Sequence, residues 1–144
     1  MRYHRSMRTI LIFAVVLALN CHTDSGHAES PLCLPYEPET VVLTETVQRA
    51  LAYGPPGYGE TPDRDAKEVF YSLQLATPIC VLGGDDLDQP AEPSIRQLQI
   101  AFIKMPFDRT LPGHRVRVAG TLFHAMTGHH HTKVLISPDR IERQ

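Results

Sequence analysis

Apolar and polar side chains alternate with a period of two through five separate stretches of the chain. Val41, Leu43 and Val47 share one phase while Thr44 and Thr46 take the other, the pattern of a half-buried strand. Residues 68–81 repeat it, with Val69, Tyr71, Leu73, Leu75 and Ile79 on one face and Ser72 and Gln74 on the other. A third strand is predicted over 95–103, where Leu98, Ile100 and Phe102 alternate with Gln97 and Gln99, and a fourth over 116–122. Val134 to Ile136 begins a fifth.

Between the first two strands, residues 53–65 hold Gly54-Pro55-Pro56-Gly57-Tyr58-Gly59 and Pro62-Asp63, which abolish both helical and strand periodicity and predict a long turn-rich loop. The run Gly83-Gly84-Asp85-Asp86-Leu87-Asp88 lacks the ligand spacing of a calcium loop and is taken as a solvated turn. No segment carries a long helical stripe, and parallel sheets need crossovers that are absent here. The expected fold is therefore mainly β, a small five-stranded antiparallel OB-like barrel with little helix, with a small open β-sandwich as the alternative.

The start of the chain follows a different pattern. Arg2, Arg5 and Arg8 precede an apolar run over 10–19, the size of a signal-peptide core and short of the roughly 20 residues a spanning helix needs. Gly26-His27-Ala28 offers small residues for cleavage, so 1–28 is expected to be a signal peptide and 29–144 a single exported domain, periplasmic or secreted. Cys21 directly after the apolar run leaves lipid attachment at that residue as a rival, which Asn20 before it disfavours.

The whole chain has a formal net charge of −2, and the leader removes three arginines against one aspartate, so the remainder is more acidic still. Without a Lys/Arg run it is a poor match for a phosphate backbone or an anionic membrane, and no nucleic-acid partner is expected. Processing would also leave Cys33 and Cys80 as an even pair, which in a small exported chain points to a disulfide; two separate buried thiols are the alternative.

Candidate chemistry concentrates in one place. His124, His129, His130 and His131 fall within eight residues. If Thr127-Gly128 forms a two-residue hairpin turn, His124 opposes His131 and Ala125 opposes His130, which puts His124, His129 and His131 on one face. Such imidazoles suit zinc or copper, and Glu60, Asp63 or Asp65 could supply a base or fourth ligand. Inward hydrogen bonding or an exposed polar hairpin accounts for the same residues without metal. Tyr58 and His130 are candidate contacts for a ligand or an envelope protein. Glu45 shares the phase of Val41, Leu43 and Val47, so it needs either an inward partner, such as an imidazole or arginine, or a bulge.

Cys33-Leu34-Pro35-Tyr36-Glu37-Pro38, Pro78-Ile79-Cys80-Val81 and Gly120-Thr121-Leu122-Phe123-His124-Ala125-Met126-Thr127-Gly128-His129-His130-His131-Thr132 together resemble the bacterial family described as domain of unknown function 4431. The likeness spans 33–141, and Glu45 stands where a glycine is usual. It implies exported bacterial proteins with the paired cysteines and carries no activity. No serine sits in a nucleophile elbow and the mature cysteines are expected to be oxidised, so no catalytic constellation is recognised. A binding module is the leading expectation, ahead of a metalloprotein and a structural envelope component.

Overall fold

The computed structural model describes residues 32–144; the predicted signal peptide and Cys21 lie outside them. Six strands form: β1 (Leu32–Leu34), β2 (Thr40–Tyr53), β3 (Lys67–Val81), β4 (Glu92–Ile100), β5 (Arg115–His124) and β6 (Val134–Arg143). Among the described residues there is no helix. The mainly β expectation holds.

Strands β2, β3 and β4 pair antiparallel in succession, and β5 returns to lie beside β2, which is Greek-key order. β6 then pairs antiparallel with β5 and parallel with β4, closing a ring of hydrogen bonds through all five long strands. The pairing is mostly antiparallel, as expected, with two parallel exceptions, β4 with β6 and the short β1 with β3. The long stretch between β4 and β6, which contains β5, gives the parallel pair the crossover it requires.

Alternation places the inward residues as the sequence pattern requires. Val47, Leu73, Leu98, Val116, Val118, Leu122, Val134 and Ile136 are all fully buried in one cluster. β2 serves two partners, pairing with β5 over 40–46 and with β3 over 46–53, so it is longer than the periodic stretch that announced it. β6 also outruns its apolar start because the strand continues past Pro138 through a register shift opposite Ala119 and Gly120. There a Cβ on Gly120 would lie 2.3 Å from the Ser137 carbonyl oxygen, so the close approach requires glycine. β4 ends at Ile100 rather than Ile103, and Phe102 and Phe107 fold back onto Tyr71.

β1 lies ahead of the five strands that the alternation predicts. Its register sets Cys33 opposite Cys80, and the two are joined by a disulfide. Glu45 pairs with Val116 without a bulge in β2, and its partner is neither imidazole nor arginine: the Ala76 amide donates to its carboxylate at 3.0 Å. That amide is free to do so because β3 leaves its register with β4 between Gln74 and Ile79, around Pro78, which has no N–H to offer a ladder.

Candidate functional site

The loop over 54–66 is organised from inside by Asp65. Its buried carboxylate accepts hydrogen bonds from the amides of Gly57 (2.8 Å), Gly59 (2.7 Å) and Thr61 (3.1 Å) and from the Thr61 hydroxyl (2.7 Å). Burial works against the charge, but the Thr61 hydroxyl and the Gly59, Gly57 and Thr61 amides outweigh it and hold the carboxyl below the usual aspartate value. Asp65 is therefore committed to the loop rather than available as a base or ligand. Around this anchor Tyr58 takes a φ of 48°, and its amide donates to the Gly54 carbonyl at 2.9 Å. A non-glycine residue in the left-handed region costs energy, and here the surrounding bonds impose it so that a 45% exposed ring projects from the loop.

The histidine segment does not form the expected two-residue hairpin. His124 pairs with Val134, not with His131, and residues 125–133 make a longer connection closed by the Ala125 amide on the Lys133 carbonyl. Thr127 and Gly128 do occupy a turn, in which the His130 amide donates to the Thr127 carbonyl at 3.0 Å. The ladder beyond that turn fails because β4 competes for it. Gln99 donates its side-chain NH₂ to the His129 carbonyl (3.1 Å) and accepts the His131 amide (2.6 Å), drawing the segment over β3 and β4.

That displacement separates the candidate ligands. His129 donates Nδ1–H to Glu68 at 2.9 Å, and His131 donates Nε2–H to the same carboxylate at 3.1 Å. His124 instead faces the buried Glu92, 3.4 Å away, a carboxylate that also holds Lys133 at 3.0 Å. Among the described residues no three His, Cys, Asp or Glu side chains are arranged to hold a metal ion. Glu68 fixes the His129 and His131 rings through those N–H groups while His124 faces Glu92, so the structure does not gather His124, His129 and His131 at one point. The remaining candidates, Glu60 and Asp63, lie on the exposed rim of the Tyr58 loop.

Glu68 and Gln99 are the residues the sequence pattern left unmarked. The His129 hydrogen bond, opposed by burial and aided by the nearby histidines, holds the Glu68 carboxyl below the ordinary glutamate range. His130 turns the other way. Its Nδ1 accepts the Met126 amide at 2.9 Å, and its ring stands edge-on to Phe123 at 5.6 Å. Burial first, then the charges of His129 and His131, hold its pKa below the usual 6.5, which keeps that nitrogen an acceptor at neutral pH.

The two loops meet at Tyr58. Its ring contacts His129 edge-on at 5.8 Å and lies across Gly128, where a Cβ would come within 2.6 Å of the ring. A larger residue there would displace the ring, while the dihedrals of Gly128 itself do not call for glycine. His131 packs at 5.0 Å on Phe70, on the same outer face of β3 as Glu68. On the far side of the histidine loop, a cleft of about 470 Å³ opens between Phe123, His124 and Met126 and the acidic turn at Asp85 to Asp88.

Nothing among curated proteins or among solved structures matches the chain. One family model does, over residues 97–142, from β4 through the histidine loop to β6, and it is described as a domain of unknown function (DUF4431). The part of the chain that carries Gln99 and the four clustered histidines is therefore similar to that family.

Proposed function

We propose that this protein is an exported, non-enzymatic binding module whose ligand surface is the platform made by the Tyr58 loop and the histidine loop. The observation that carries the reading is Tyr58: a left-handed backbone and an Asp65-centred set of hydrogen bonds present a half-exposed aromatic ring that is seated on the second loop before any ligand arrives. Such prior ordering lowers the entropic cost of binding. In OB-like folds the loops joining the first two and the last two strands of the ring flank the binding face, and the same two connections meet here through Glu68 and Tyr58. Fold alone does not choose a ligand. The chain's net negative charge speaks against nucleic acid and favours an uncharged or cationic component of the cell envelope.

The test compares the processed protein with Tyr58→Ala and His129→Ala variants, each cross-linked to envelope fractions of its host. A component retained by the wild type and lost by both variants is expected. Identical capture profiles for all three would remove the platform from consideration. Mass spectrometry of the exported fraction is expected to find an N-terminus at Glu29.

A further inference from the structure

The β2–β3 hairpin extends beyond the core it helps to build. At the Val47–Leu73 pair the inward face is completely covered, and the same face continues through the pairs Arg49–Tyr71, Leu51–Val69 and Tyr53–Lys67. Tyr71 is sheltered by Phe107, stacked at 4.0 Å. The next apolar residues have no such cover: Leu51 is 61% exposed, Val69 42% and Tyr53 39%. Directly paired side chains stand about 5 Å apart, so these three make one continuous patch rather than scattered apolar residues. Its two charged positions are both cationic, Arg49 and Lys67, and both are exposed.

The opposite end of β3 carries the complement. After Val81 the chain enters the acidic turn, in which Asp85, Asp86 and Asp88 surround Leu87, at 101% the most exposed large apolar side chain described. An exposed apolar patch edged by two cations and an exposed leucine edged by three carboxylates thus sit at the two ends of one 15-residue strand. They cannot meet within one molecule, but they match between two.

We propose that the Leu51–Tyr53–Val69 face is a docking surface for the Asp85–Asp88 turn of a second copy of this chain, Leu87 seating against Leu51 and Val69 while the aspartates face Arg49 and Lys67. The contact joins different surfaces of the two copies, so it propagates head to tail unless the rotation closes a ring. The patch is small and belongs to the class of weak, transient interfaces. Charge pairing at its rim makes assembly sensitive to salt.

Sedimentation velocity on the protein as its host processes it, run over a concentration series up to the millimolar range, tests the proposal. At low salt the average sedimentation coefficient is expected to rise with concentration, and about 0.5 M salt to suppress the rise. Arg49→Glu with Lys67→Glu, and separately Asp86→Lys with Asp88→Lys, are each expected to stay monomeric. Mixed in equal amounts, the two variants offer one native pair of surfaces and one pair with both charges reversed, each complementary, so association should return. Leu87→Ser changes only an exposed side chain and is expected to weaken association at least tenfold, which keeps the test open if a charge reversal fails to fold. A wild type that stays monomeric throughout, or reversed variants that associate as it does, would overturn the proposal, as would a mixture that does not recombine.

Discussion

Asp65 shows how much one carboxylate can organise when it is surrounded by amides. Four donors converge on it from Gly57, Gly59 and Thr61, and the loop that presents Tyr58 is in effect wrapped around its charge. Because its folded-state pKa is lowered, its contribution is fully present above the unfolded value of about 3.9 and is lost as pH falls through the folded value. Asp65→Asn is therefore expected to reduce the urea midpoint at pH 7, with a narrower gap from wild type at pH 3. A gap that is unchanged between the two pH values would show that ionisation of Asp65 is not what holds the loop. The composition of residues 53–65 announced a loop at this place, but its organising acid was grouped in the sequence with Glu60 and Asp63 as an available base. Nothing local distinguishes the three; only the direction of neighbouring N–H groups does.

At the scale of elements, the histidine segment is decided by competition between two partners for the same backbone groups. A Thr-Gly turn favours a tight hairpin, and the turn does form, but Gln99 on β4 takes the His129 carbonyl and the His131 amide that a hairpin ladder would have used. Glu68 on β3 then takes both ring donors. Gly128→Val is expected to push the Tyr58 ring away and separate the loops, because a side chain there meets that ring at 2.6 Å. Hydrogen exchange should show faster exchange across 125–133 and around Tyr58 with the five long strands unchanged; unaltered exchange in both loops would contradict the contact. The cluster itself was visible in composition. Its partners were not, since Glu68 lies 61 residues from His129 and Gln99 lies 32 residues from His131, and period-two patterning carries no information about which outer faces come together.

For the whole molecule the decisive features are ring closure and the covalent tie beside it. Cys33 and Cys80 are separated by 47 residues, and closing a loop of that size removes about 4 kcal/mol of unfolded-state freedom in the chain-entropy picture. This is a large fraction of the 5–15 kcal/mol typical of a domain. Cys33→Ser with Cys80→Ser is expected to lower the unfolding free energy by about 2–5 kcal/mol, measured by urea denaturation; a loss below about 1 kcal/mol would mean that β1 and the ring are secured without it. The cysteine count foretold the bond, and the alternation at Val47, Leu73, Leu98 and Val118 foretold the strands and the face each buries. Side-chain period and turn composition are properties of neighbouring residues, so the sequence by itself determined the mainly β class, most strand positions, most inward residues and the places of the Tyr58 and histidine loops. Tertiary structure alone decided the β4–β6 closure, the extra strand β1, the Ala76 partner of Glu45, and the division of the histidines between Glu68 and Glu92. Each of those depends on groups far apart in the chain competing for the same hydrogen bonds, and that competition is settled only when the ring closes.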